Sequence, residues 1–246
     1  MRRAIAALLL SFGTCLALAQ DTGSIAAFSA STPGTLLPAG WRPQRLPKAP
    51  AAEVRLVADE AATVLRVRSN AAAGGAIHPL DAAHAQSQST QLAWRWKVDR
   101  VVEGADMTRR SRDDFAARVY VFFAIPVDEL PLGERLRIKL ARLFYGEELP
   151  TAGICYVWDN RHPAGYSAWS PFTNRIRIVV VETGPERAGQ WAEARRDLEA
   201  DFRAAFGAQW ARPMPRISGI AAGNDTDQTG ESATAWFGDF RLEARR

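Results

Sequence analysis

The stretch that decides the fold runs from residue 91 to residue 126, QLAWRWKVDRVVEGADMTRRSRDDFAARVYVFFAIP. Leu92, Trp94, Trp96 and Val98 alternate with Arg95 and Lys97. Ala117, Val119, Val121, Phe123 and Ile125 alternate with Arg118, Tyr120 and Phe122. A period of two, carried by aromatic and β-branched residues, marks strands with one face turned to a core. Two such runs joined by a charged connection predict neighbouring strands in the middle of an antiparallel sheet.

Outward from this pair the same rhythm recurs. Val54, Leu56 and Ala58 alternate, Asp59-Glu60 forms a turn, and residues 63–69 make a hairpin partner. Residues 76–80, 152–159, 174–182, 216–222 and 233–242 read as further strands, and residues 161–174 as a loop. Helical spacing appears twice. Trp191, Ala194, Leu198, Phe202 and Phe206 share a stripe that predicts a helix over 190–206, ended by Gly207. Leu136, Leu140, Leu143 and Phe144 predict a short basic helix inserted near 130–150. The lack of a strand–helix–strand alternation predicts a mainly β protein, an antiparallel β-sandwich of jelly-roll type over residues 53–246. Residues 20–52, rich in proline and small residues, are expected to pack on that domain as an extended segment.

Residues 1–19 read as a signal peptide: Arg2 and Arg3, then an apolar run, then Ala17-Leu18-Ala19 as the cleavage motif. Cleavage near Ala19–Gln20 predicts a periplasmic or secreted protein that meets the membrane only through this segment. Removing it leaves 227 of 246 residues and lowers the formal net charge from +4 to +2. So balanced a charge gives no electrostatic footprint for nucleic acid. One of the two cysteines, Cys155, remains, so an internal disulfide is excluded and burial alone must hold the fold.

The runs LAWRWKVDR, DDFAARVYVFF, CYVWDN, RIRIVVVETG and GNDTDQTG, with FGDFRLE at the end, resemble in order those of the bacterial domain of unknown function 3047 family. The resemblance covers nearly the whole mature chain and implies a secreted β-sandwich, without an activity. The ending, an apolar strand, an acidic loop and a strand closing in Gly-Asp-Phe, also looks like the last strands of carbohydrate-binding jelly rolls.

Candidate ligand-binding residues follow from parity along a strand. Asp114, Arg118 and Tyr120 differ by even numbers, so one sheet face would carry a carboxylate, a guanidinium and a phenol, with Asp113 beside them. That set suits a sugar or an acid; it equally suits an ion pair that fixes a loop. Trp158 and Trp169 border the 159–171 loop and are candidates for exposed stacking platforms, while at least five of the eight tryptophans are expected in the core. Asn224, Asp225, Asp227 and Thr229 space oxygens as in the first half of a calcium loop, although Trp236 stands where the bidentate acid belongs. Calcium is therefore the one cofactor the sequence raises, against a capped turn.

His78, His84 and His162 match no zinc spacing, and no nucleophile elbow occurs. The reading favoured is a non-enzymatic β-sandwich that binds a small molecule or saccharide. Two others stand beside it: a carboxylate-dependent glycoside hydrolase or lyase using Asp114 with Asp225, and a structural envelope protein.

Overall fold

A computed structural model of the protein describes residues 25–46, 48–80, 89–130, 132–136, 138 and 151–244. Thirteen strands are described: β1 (Arg42–Arg45), β2 (Glu53–Asp59), β3 (Ala62–Asn70), β4 (Ala73–Pro79), β5 (Ser89–Val98), β6 (Phe115–Phe123), β7 (Ala152–Asp159), β8 (Ser167–Ser170), β9 (Thr173–Thr183), β10 (Ala192–Asp197), β11 (Ile217–Asp225), β12 (Ser232–Phe237) and β13 (Arg241–Ala244). The α-helix α1 covers Leu198–Phe206. The signal-peptide segment and most of the predicted basic helix lie outside the described residues; 132–136 and 138 are helical. Among the described residues no helix is long and apolar enough to cross a membrane.

The strands form two facing sheets, as the alternation requires. One has the order β1-β4-β11-β6-β7-β9-β8, the other β10-β5-β12-β3-β2, with β13 also paired to β5. Pairing is antiparallel except between β7 and β9. The result is a mainly β, jelly-roll sandwich.

Inward-facing residues of both sheets meet in one core. Trp94, Trp96 and Val98 of β5 bury against Val119, Val121 and Phe123 of β6 and Tyr156 and Trp158 of β7. Trp96 packs on Trp158 at 5.9 Å between ring centroids, and Trp94 on Tyr156 at 5.4 Å. Such large aromatic side chains supply the buried area that a disulfide-free sandwich needs. The early segment joins this core: Phe28 and Trp41 are buried with ring centroids 4.7 Å apart, and Phe240, which follows the Gly238 break between β12 and β13, packs beside both.

Three expectations are corrected. β5 and β6 do not pair with each other; they lie in opposite sheets. Their connection, residues 99–114, crosses from one layer to the other and drops Met107, with Phe115 after it, onto Cys155, Val157, Ile178 and Val180. The helix expected over 190–206 begins at Leu198, because residues 192–197 pair with β5 as β10. Asp197 marks the change: its carboxylate accepts the backbone N–H groups of Glu199 and Ala200, both at 3.1 Å. The loop expected over 161–174 contains the edge strand β8.

The tryptophan count also shifts. Trp41, Trp94, Trp96 and Trp158 are buried, and Trp169, Trp191, Trp210 and Trp236 are half-buried. Trp191 and Trp236 flank the Lys97 ammonium at 5.0 and 4.9 Å on the outer face of β5, where cation–π contact takes the place of core burial.

Candidate functional site

The outer face of the seven-stranded sheet carries Arg118, Tyr120 and Phe122 from β6, and glycines where β4 meets β11. A Cβ on Gly75 would lie 2.1 Å from the Ala222 carbonyl oxygen, and one on Gly223 2.3 Å from that of Gly74. Side chains are therefore excluded, and the sheet stays bare there. Beside this floor opens a cavity of about 980 Å³. Tyr120 and Phe122, stacked at 5.5 Å and 15° between planes, line it together with Trp169, Phe172 and Ile176.

Two guanidinium–carboxylate pairs sit in its walls. Arg118 is almost completely enclosed. Its Nε donates to Asp225 Oδ1 at 2.7 Å and its Nη2 contacts Oδ2 at 2.5 Å. Its Nη1 donates to the Tyr120 hydroxyl at 2.9 Å, and Nη2 also donates to the Asp113 carbonyl. The Phe115 ring lies 4.6 Å from the guanidinium carbon. Burial pushes the Asp225 carboxyl well above the carboxylate range, and the adjacent Arg118 pulls against that shift. The second pair is Arg175 with Glu134, at 3.2 Å. Arg175 Nε donates to the Thr151 carbonyl at 2.7 Å, and burial lowers its guanidinium below the usual value.

The predicted residues divide accordingly. Arg118, Tyr120 and Trp169 line the cavity, with Asp225 and Asn224 beside them. Asp114 does not share their face. β6 starts at Phe115, so parity does not extend back to 114. The Asp114 carboxylate instead accepts the Thr229 and Gln228 N–H groups at 2.6 and 3.3 Å, completely buried. Asp113 is buried too, and desolvation pushes its carboxyl up to about 6, with Arg118 opposing and the Asp114 and Asp227 charges adding to the rise.

Trp158 is no platform. It is 1 % exposed and donates from Nε1 to the Gly184 carbonyl at 3.0 Å. Position 158 shares the inward parity of Ile154 and Tyr156, which overrides its nearness to a loop. Cys155, fully enclosed with its thiol pushed up to about 12 by burial, is an inert packing residue.

The calcium-loop geometry read from consecutive positions is not formed. The Asn224 amide turns between the sheets and donates to the carbonyls of Val67 and Ala233 at 3.2 and 3.1 Å. The Thr229 hydroxyl accepts the Glu231 N–H at 3.4 Å. Asp225 and Asp227 converge instead with Asp114, from another segment of the chain.

Sequence reasoning missed Arg175, Glu134, Phe122 and Phe172. Arg175 and Phe122 were visible as the outward residues of strands. Glu134 stands on the helical segment 132–136, whose periodicity does not say which strand it packs beside, and Phe172 on the turn between β8 and β9.

These features define a two-sheet β-sandwich with an aromatic-walled cavity on the outer face of one sheet. The chain belongs to the family described as "Protein of unknown function (DUF3047)", whose model matches residues 39–241. No curated protein matches it. Among solved structures, the endo-1,4-β-glucanase CelB2 is similar with a TM-score of 0.46 and 11% identity, over 85% of this chain and 94% of that one. The xyloglucanase domain of NopAA from Sinorhizobium fredii, in complex with cellobiose, gives 0.45 and 7%, over 87% and 96%. The family 30 carbohydrate-binding module of the Clostridium thermocellum cellulase Cel9D-Cel44B gives 0.33 and 12%, over 87% and 91%. No residue role or activity carries over from them.

Proposed function

We propose that the protein is a non-enzymatic binding protein that takes a saccharide into the cavity on its seven-stranded sheet. One observation carries this reading. Aromatic rings (Tyr120, Phe122, Trp169 and Phe172) wall a concave site that also holds the amides and ion pairs of Gln44, Asn174, Arg118–Asp225 and Arg175–Glu134. A sugar presents apolar C–H faces and a rim of hydroxyls. It therefore matches a site with ring faces to stack on and fixed donors and acceptors around them.

Binding is favoured over hydrolysis by the state of the carboxylates. Glycoside hydrolysis needs two acids facing the bond. Asp114 is sealed beneath the 226–229 turn, and the acids that line the cavity, Asp225 and Glu134, are each engaged by an arginine. Trp169 gives the test. Replacing it by Ala should weaken the best ligand of a panel of neutral and uronate-containing oligosaccharides by about tenfold, roughly 1.4 kcal/mol. Tryptophan fluorescence and calorimetric titrations read this. No response to any member of the panel, or an unchanged affinity in the variant, would end the reading.

We also infer that the protein works outside the cytoplasm. Arg2, Arg3 and the Ala17-Leu18-Ala19 motif support that reading. Mass spectrometry of the exported chain should find Gln20 at its N-terminus; an intact Met1 on protein recovered from cells would contradict it.

A further inference from the structure

Below the cavity, four carboxylates from two segments crowd one place. Asp113 and Asp114 end the β5–β6 connection, Asp225 ends β11, and Asp227 lies in the turn after it. One carboxylate oxygen from each of Asp114, Asp225 and Asp227 lies within 4.8 Å of the others. Arg118 is the cation that touches the group, and Asp225 occupies it through two bonds. The Asp114 and Asp227 carboxylates remain beside that pair: the Thr229 and Gln228 N–H groups reach Asp114 and the Gln228 amide reaches Asp227, but no ion pair among the described residues balances their charge.

Two oxygens make the imbalance concrete. Asp113 Oδ1 and Asp227 Oδ1 are buried and find no hydrogen-bond partner. The Asp113 side chain is 5 % exposed, and its other oxygen stands 3.8 Å from Arg118. The same guanidinium meets Asp225 Oδ2 at 2.5 Å, so the unpartnered Asp113 carboxylate flanks the cluster across Arg118. A buried acceptor without a donor is rare and calls for an explanation such as an ion.

We propose that Asp114, Asp225 and Asp227, with Asp113 alongside, hold a divalent cation of the calcium type that clips the 225–231 turn to the 99–114 connection. Calcium ligands lie at roughly 2.3–2.6 Å, so oxygens on opposite sides of one ion are about 4.6–5.2 Å apart, and three oxygens within 4.8 Å fit a single sphere. Magnesium, with strict octahedral demands and reluctant dehydration, takes fewer protein carboxylates than such a cluster offers. The ion would neutralise the excess charge and take up the two stranded oxygens. Asp225 is shared with the cavity wall, but the ion is read from the unfolding midpoint of the saccharide-free protein, so this inference stands or fails apart from the saccharide reading.

The test uses the full mature chain stripped with a chelator and returned to metal-free buffer. Calcium chloride at about a hundred times its dissociation constant should raise the unfolding midpoint by roughly 5–10 °C, with magnesium giving less. Calorimetry should count one ion per chain. Asp227→Asn, on the half-exposed turn, should keep the circular dichroism of the fold while losing most of the shift; Asp113→Asn should weaken the ion without removing it. No shift with either metal, together with no bound metal in the protein as purified, would overturn the proposal. So would an Asp227→Asn variant that responds like the parent, since the ion would then bind elsewhere.

Discussion

Replacing Arg118 by Leu should destabilise the protein by about 3–5 kcal/mol at pH 8, the range expected when one partner of a buried ion pair is removed. The guanidinium meets Asp225 through two contacts, the Tyr120 hydroxyl and the Asp113 carbonyl through further hydrogen bonds, and the Phe115 ring through its face. Leucine fills part of the volume and satisfies none of these acceptors. Asp225 would keep the Phe115 N–H at 3.0 Å as its one remaining donor. The double variant Arg118→Leu/Asp225→Leu should recover part of the loss, because an apolar pair leaves fewer charges stranded.

The pH dependence gives this prediction a sign. Asp113, with its carboxyl at about 6 in the fold, binds a proton more tightly there than in the unfolded chain, whose value is near 3.8. In that window the folded state holds more protons, so the contribution of this group to stability falls as pH rises. Arg118 opposes the upward shift at both Asp113 and Asp225, and its removal raises both further. The deficit of Arg118→Leu should therefore narrow between pH 8 and pH 5. Urea denaturation of metal-free parent and variant at the two pH values measures it. A loss under about 1 kcal/mol at pH 8, or a deficit that widens on acidification, would show that the pair is not the anchor described.

The network also explains what the sequence could and could not reveal about this site. Alternation correctly sets Arg118, Tyr120 and Phe122 opposite Val119, Val121 and Phe123, because a period of two is a property of the strand itself. It says nothing about which strand lies alongside, so β5 and β6 could be read as neighbours when they face each other across the core. Parity fails at Asp114 for a related reason. The strand begins one residue later, and the backbone turns where Asp225 meets Phe115 with a shift in register. At residues 190–206 two periods overlap. Trp191, Ala194 and Leu198 fit a helical stripe, while Ala192 and Ala194 against Glu193 and Arg195 fit a strand, and pairing with β5 decides in favour of the strand as far as Asp197. The short edge strand β8, between Pro163 and Pro171, carries too few residues to show any period.

Trp158→Ala should cost about 3–5 kcal/mol, the range for removing a large aromatic side chain from a packed interior. The indole stands on β7 opposite Ala117 of β6, with the Trp96 ring against it. Its N–H bond to the Gly184 carbonyl goes as well, so the loss combines a cavity with a weakened tie to the end of β9. Trp158→Phe keeps most of the apolar volume and drops the hydrogen bond, and should cost about half as much. Chemical denaturation should show the midpoint falling with an unchanged slope, the mark of lost stability rather than a changed unfolded state. The pairing with Trp169→Ala separates packing from recognition: Trp169 is half-buried at the cavity wall, so its loss should tell on ligand affinity more than on the denaturation midpoint. A Trp158→Ala protein as stable as its parent would mean that the aromatic layer between the sheets is not what holds this disulfide-free sandwich together.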